Sequence, residues 1–342
     1  MRGRTNLAIN GSYWLGTALG ALVTVVLLNP AYFSYTSGWR LSFGLGAILG
    51  LFILSFRRHL PESPRWLLLH GRVPEAEEIV NHIEAEVLRT SKVKKLEPVP
   101  HIWLKVKGKV TFTEIAGILF SRHLKRGILA LVLMVSQAFT YNAIFFTYAL
   151  VLSRFYGVNP QSIGLYLLPF AAGNFLGPIV LGPLFDTLGR KKMIALTYSI
   201  AGVLLFITGY GFSQGWLTAT SQTVLWCMVF FVASAAASSA YLTVSELFPV
   251  EMRGMAIALF YAIGTSVGGV CAPTLLGALI ETGSRSRVAE GYYLGALLMI
   301  VAAITAAVIG VRAERKSLEE IADLEDLNPK PEIEAAAVKV PA

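Results

Sequence analysis

The sequence predicts an all-α membrane protein with about eight transmembrane helices, and three observations carry that prediction. Apolar residues make up 55% of the 342 and charged residues only 15%, where a soluble domain carries about a quarter charged. Mean hydropathy is +0.61. Uncharged runs of roughly 20 residues recur along the chain, the length needed to cross a hydrocarbon core of about 30 Å. In lipid the backbone N–H and C=O groups of such runs are satisfied within a helix.

The expected spans are 5–28, 39–56, 127–151, 162–184, 192–211, 222–245, 255–279 and 291–311. The first follows Arg2 and Arg4, as a secretory signal would. It runs on to Leu28, however, and carries Asn6, Asn10 and Ser12, which suit a helix facing other helices. Placing the N-terminus inside puts all but four of the 29 Lys and Arg on the cytoplasmic side; the four are Arg40, Arg154, Arg285 and Arg287. The short loops agree, with Arg190, Lys191, Lys192 and Arg253 inside. Both termini are therefore expected in the cytoplasm, in a cell (plasma or inner) membrane.

Between the second and third spans lies a basic cytoplasmic loop, 57–126, which holds all five His. Within it VPEAEEIVNHIEAEVLR, 73–89, reads as an amphipathic helix. Pro74 suits the first turn, Glu75, Glu77 and Glu78 complement the helix dipole, and Ile79, Ile83 and Val87 form a stripe. Thr111 and Glu114 have capping-box spacing for a second helix. No His pair has metal-ligand spacing. Residues 317–342 read as a disordered cytoplasmic tail.

Several classes of function fall away. The +8 charge invites nucleic acid, but it lies between apolar runs with no reader motif. Cys227 and Cys271 lie inside apolar spans and imply no disulfide framework. No Asp, Glu, Lys, Arg or His sits well inside a span. Buried ionisable groups in lipid are costly and functional, so their absence argues against a proton relay within these helices. It argues equally against a membrane-embedded hydrolase, which needs a nucleophile and base or a metal cluster. No catalytic residue, metal or cofactor is expected.

Arg2-Gly3 aligns with Arg253-Gly254; each dipeptide precedes a span rich in small residues. If the first span corresponds to the seventh, the later one is the fifth of six after the long loop, and four helices are expected ahead of the first. Transporters are commonly built from such repeated halves.

Three motifs make the chain resemble the major facilitator superfamily, in its sugar-porter-like and metabolite-transporter branch. They are PESPRW (Pro61–Trp66), DTLGRKK (Asp186–Lys192) and ELFPVEMRG (Glu246–Gly254), and GWR at 38–40 fits the entry to the family's sixth helix. The resemblance covers 1–316 and implies helices five to twelve of a twelve-helix fold. Residues 1–56 would then be the last two helices of the N-terminal bundle and 127–316 the six-helix C-terminal bundle. It implies a monomeric secondary transporter of a small polar metabolite, sugar-like or an organic acid or ion, with membrane lipid around it and a coupled proton. The alternative is a membrane sensor or scaffold whose basic loop binds a partner or anionic lipid.

With no charge inside the spans, neutral polar side chains are the substrate candidates. On a straight helix Gln137, Tyr141 and Tyr148 fall within about 40° of one another. The resemblance adds Asn142, which with Gln137 matches the family's sugar-contacting Gln and Asn five residues apart. They point about 140° apart on a straight helix, so a shared cavity is expected only if the helix breaks between them. Tyr241 occupies the family's tryptophan position, which suggests an aromatic lid. Asn10, Tyr13, Trp14, Tyr261 and Thr265 are further cavity candidates. Trp226 is expected as a membrane-interface anchor, and the segment around Asn174, like Gly264 and Gly268, as close packing.

The resemblance also implies an inner gate of salt bridges and helix-end contacts, made from Asp186, Gly189, Arg190, Glu246 and Arg253, with Glu62 and Arg65 of PESPRW. By the repeat, Asp186 is expected near the N-terminus of the first span, where free N–H groups favour an anion.

Overall fold

The computed structural model describes residues 2–90, 117, 124–248, 250–311 and 313. Its described residues contain eight helices long and apolar enough to cross a membrane: Gly3–Leu27, Thr36–Arg57, Leu124–Phe145, Pro160–Thr187, Arg190–Ser213, Ala219–Leu247, Arg253–Glu281 and Arg285–Ile309. They are called the first to eighth spans below. Two helices of the loop between the second and third spans, Pro64–Leu69 and Val73–Thr90, are also described. The second of these is the expected amphipathic helix, with the Arg72 guanidinium bound to Glu75 at 2.5 Å and holding its carboxyl below the usual range. The expected helix after Thr111 and the tail 317–342 lie outside the described residues.

Local chemistry sets the ends of the spans. Thr218 and Ser221 form a reciprocal capping box at the start of the sixth span, and the Ser284 hydroxyl accepts from Arg287 N–H at the start of the eighth. Each satisfies helix-end donors that lipid or protein would leave bare. Gly189 has φ 106, a region that side-chain-bearing residues rarely enter, and so allows the turn from the fourth span into Arg190.

The third span departs from its expectation of one helix to 151. It ends at Phe145, and a second helix, Tyr148–Tyr156, follows a turn at Phe146 and Thr147. In that turn the Thr147 hydroxyl donates to the Ala143 carbonyl at 2.5 Å, a side-chain bond that competes with the regular ladder. The seventh span is also interrupted, by a π-helical turn at Ser266–Cys271.

Contacts divide the chain into two units, Met1–Phe43 with Phe112–Ala322, and Gly44–Thr111 with Asp323–Ala342. In the first, the fifth span packs along the eighth, the fourth along the sixth, and the first against the fourth. The third lies against the seventh and eighth. Gly264 and Gly268 bring the seventh span onto the third: a Cβ at Gly264 would stand 3.0 Å from the Met134 carbonyl oxygen, and one at Gly268 would collide with the backbone at Ala138 and Phe139. Small residues are what allow helix backbones to approach this closely in lipid. The core is aromatic: Tyr148, Phe170, Phe212, Trp226, Phe230 and Tyr292 are buried together. Trp226 is 0% exposed and packs on Tyr148 at 4.8 Å between ring centroids. It is a core residue and not an interface anchor, because the break in the third span turns Tyr148 onto it.

Candidate central cavity and inner gate

A cavity of about 350 Å³ opens among the first, third, sixth and seventh spans. It is lined by Asn10, Tyr13, Trp14, Gln137, Tyr141, Asn142, Phe145, Phe146, Ser234, Ala237, Ser238, Tyr241 and Tyr261. Four of the five sequence-derived candidates, Gln137, Tyr141, Asn142 and Tyr241, are therefore brought together. The fifth, Tyr148, is not. Its hydroxyl donates to the Tyr166 carbonyl at 2.7 Å and its ring is buried against Trp226 and Phe170. The straight-helix projection fails there because the span breaks at Phe146–Thr147, before Tyr148 is reached.

Gln137 and Asn142 share the cavity without a break between them, contrary to expectation. Asn142 lies back along its own helix, its Nδ2 donating to the Ala138 carbonyl at 2.6 Å. The π turn lies opposite, where a Cβ at Gly269 would be in ordinary contact, 3.8 Å, with that nitrogen. Asn10 similarly spends Nδ2 on Asn6, at 3.2 Å to its carbonyl and 3.1 Å to its Oδ1. With their amide nitrogens engaged, Asn10 and Asn142 keep Oδ1 as acceptors.

The rest of the wall is largely ring faces. Trp14 packs on Tyr141 at 5.8 Å and Phe145 at 5.6 Å, and Tyr241 lies 6.1 Å from Tyr261. No lining residue is charged. The cavity can therefore offer hydrogen bonds through amides and hydroxyls, and apolar contact through rings, but no counter-charge. Sequence reasoning missed Ser234 and Ser238, two of many small residues in the sixth span with no pattern to mark them. Thr265, among the wider candidates, is not in the lining.

A larger groove, about 930 Å³, runs between the fourth, fifth and sixth spans past Leu165, Leu204, Met228 and Val232. Its only polar lining groups are Tyr166, Thr220, Thr223 and the Cys227 thiol, so it lacks the convergent polar groups of a recognition site.

At the other end of the first unit, charges converge. Arg190, 3% exposed, forks onto Glu246, also 3% exposed: Nε to Oε2 at 3.1 Å and Nη2 to Oε1 at 3.2 Å. Its Nη1 reaches Asp186 Oδ1 at 2.8 Å and the Phe185 carbonyl at 3.0 Å. Asp186 in turn receives the N–H of Gly3 at 3.1 Å and of Arg4 at 2.9 Å, the helix-start contact that the repeat implied. One guanidinium thus joins the fourth, fifth and sixth spans, and one carboxylate ties them to the first. Bidentate charge-assisted bonds of this kind are strong and directional.

Gly3 belongs to this cluster, although only its neighbourhood was legible beforehand. A Cβ there would stand 2.9 Å from the Arg190 guanidinium carbon and from Asp186 Oδ1. Nearby, Arg126 donates to the Leu247 carbonyl at 3.1 Å and Arg253 to the Phe248 carbonyl at 3.3 Å. Glu62 and Arg65 lie in the second unit, where the Glu62 carboxylate accepts the Ser63 N–H at 3.3 Å.

The chain is thus a multi-span helical bundle with an uncharged cavity and a buried ion-paired cluster, and its fold has a solved counterpart. A solved major facilitator superfamily proton:xylose symporter, bound to 6-bromo-6-deoxy-D-glucose, superposes with a TM-score of 0.71 at 19% identity, over 96% of this chain and 67% of that one. Residues 1–324 match the family described as sugar (and other) transporter, and the chain belongs to that family, of transporters and not enzymes. Similar curated proteins include the niacin transporter NiaP of Acinetobacter baylyi, 24% identical over 94% of this chain and 68% of its own length. The putative metabolite transport protein YdjK of Escherichia coli is 26% identical over 83% and 59%. The arabinose-proton symporter of Escherichia coli is 26% identical over 72% and 52%. The chain thus spans about half to two thirds of the relatives it matches.

Proposed function

We propose that the protein works as a secondary transporter of a small polar metabolite, which it binds in the central cavity and passes by alternating access. The observation that carries this reading is the pairing, in one unit, of the cavity around Gln137, Asn142 and Tyr241 with the Arg190 cluster that ties the first span to the later ones. In this reading the cluster is the inner gate in its closed form. Arg253 acts with it and Gly189 sets the turn, while Glu62 and Arg65 are proposed gate residues on the strength of the PESPRW motif alone. Rocking of the bundles breaks the cluster and opens the cavity to the cytoplasm.

The uncharged lining favours solutes that carry hydroxyl or amide groups, because a bare carboxylate would have no counter-charge on these walls. The proton is the proposed coupling ion, on the strength of the arabinose and xylose symporters among the similar proteins. Both termini are cytoplasmic, with 1–56 belonging to the first bundle, 57–126 forming the basic loop, 127–316 the second bundle and 317–342 the tail. The complete transporter acts as a monomer in the cell membrane.

Vesicles carrying the protein, supplied in turn with labelled xylose, arabinose, myo-inositol, trehalose and nicotinate, test the reading. Uptake of one of them, lost in Gln137→Ala with insertion unchanged, is the expected result. Uptake of none, with Gln137→Ala indistinguishable in every binding measurement, would point instead to a sensor or scaffold.

A further inference from the structure

Tyr141 lines the cavity, but its hydroxyl is already committed. It donates to Asn174 Oδ1 at 2.9 Å, while its ring lies against Trp14 at 5.8 Å and Phe230 at 4.7 Å. Asn174 is 0% exposed, sits outside the cavity lining, and fixes its own amide by donating Nδ2 to the Phe170 carbonyl at 2.9 Å. The Tyr141 hydroxyl also bonds Ser234 of the cavity lining, so Tyr141 presents to a solute a ring face and a phenol oxygen held in one orientation from behind.

The fourth span, which carries Asn174, also carries Asp186 at its inner end. Twelve residues separate them, about 18 Å of helix. Between them stand Pro178 and Pro183. Pro178 has no N–H for the carbonyl of Asn174, and Pro183 none for that of Ile179, so the ladder loses a bond at two successive turns and the helix bends there at reduced cost. Asn174 holds the upper side of this weakened stretch; Asp186, with Gly3, Arg4 and Arg190, holds the lower.

We propose that Asn174 is a positioning residue that links the cavity to the inner gate: by pinning Tyr141 to the fourth span above its proline joint, it makes a shift of the cavity wall bend the segment that holds Asp186 against the first span. The linkage rests on the transporter reading above. The Tyr141–Asn174 bond and the Asp186 contacts are made together in the described arrangement; on this proposal the bond belongs to the closed state, and its removal favours the state in which the gate is parted.

The test needs no solute. Leu7 is 0% exposed and lies where the first span meets Gly182, whose added Cβ would be 3.6 Å from that of Leu7. A Leu7→Cys reporter, with Cys227 and Cys271 replaced by Ser, is labelled from the cytoplasmic face of vesicles by a membrane-impermeant maleimide. Tyr141→Phe and Asn174→Leu are each expected to speed labelling about fivefold, as the loss of one net hydrogen bond implies, and the double variant no further. A Val229→Cys reporter in the core, also 0% exposed, is expected to stay unlabelled throughout. Arg190→Ala, which breaks the gate itself, provides the reference.

Fast labelling in Arg190→Ala with none in Tyr141→Phe or Asn174→Leu would overturn the linkage and leave the gate standing. Slow labelling in Arg190→Ala would overturn the gate reading and the linkage with it. Labelling of both reporters, or additive effects in the double variant, would reduce Asn174 to a packing residue and overturn the proposal.

Discussion

Arg190→Ala is the sharpest perturbation of the gate. The wild-type guanidinium makes two bonds to Glu246, one to Asp186 and one to the Phe185 carbonyl. Truncation removes the bidentate partner of Glu246, which is 3% exposed. Removing one partner of a buried pair costs about 3–5 kcal/mol, because the remaining charge loses its main compensation while it stays shielded from water. Parting the gate relieves that cost by admitting water, so the closed arrangement loses about 3 kcal/mol relative to the open one. At about 1.4 kcal/mol per tenfold, that is a shift of roughly a hundredfold. A carrier that must pass through the closed arrangement in each cycle then turns over at least about tenfold more slowly. The assay is uptake in vesicles, normalised to protein inserted, beside Lys191→Ala, whose ammonium meets the Val308 carbonyl at 3.2 Å and lies outside the buried cluster. Adding Glu246→Gln to Arg190→Ala removes the stranded charge and is expected to restore part of the rate. Equal uptake in Arg190→Ala and Lys191→Ala, or a double variant worse than the single, would refute this account of the gate.

Gln137→Ala and Asn142→Ala are expected to raise KM for the transported solute with little change in melting temperature. Tyr148→Phe is expected to leave KM alone and lower stability by about 1 kcal/mol, the worth of its bond to the Tyr166 carbonyl, read by thermal unfolding in detergent. Gly268→Val forces side-chain atoms into the backbone at Ala138 and Phe139 and is expected to cost at least about 1–3 kcal/mol, seen as a lower melting temperature and reduced insertion. Trp226→Ala empties the largest buried side chain of the core and is expected to cost about 3–5 kcal/mol; a loss under 1 kcal/mol would return Trp226 to the interface.

The sequence by itself determined the eight spans, because in lipid a helix is dictated by apolar length and the charges mark where each one stops. The same local logic read the amphipathic helix at Val73–Thr90. The repeat also put Asp186 at the start of the first span, since equivalent helices in repeated halves meet in equivalent ways. Only the tertiary structure decided which neutral side chains share the cavity. Gln137 and Asn142 meet there although a straight helix points them apart, and Tyr148 leaves although the same helix aligns it. The second outcome follows from a local interruption, the turn at Phe146–Thr147; the first arises on an unbroken helix, because the packing of the first, sixth and seventh spans around it sets how wide an arc of the third lines the cavity. Helical periodicity carries direction only as far as the helix is unbroken, and in an apolar span the sequence signals for breaking it are weak, because neighbouring spans and side-chain hydroxyls supply the lost backbone bonds.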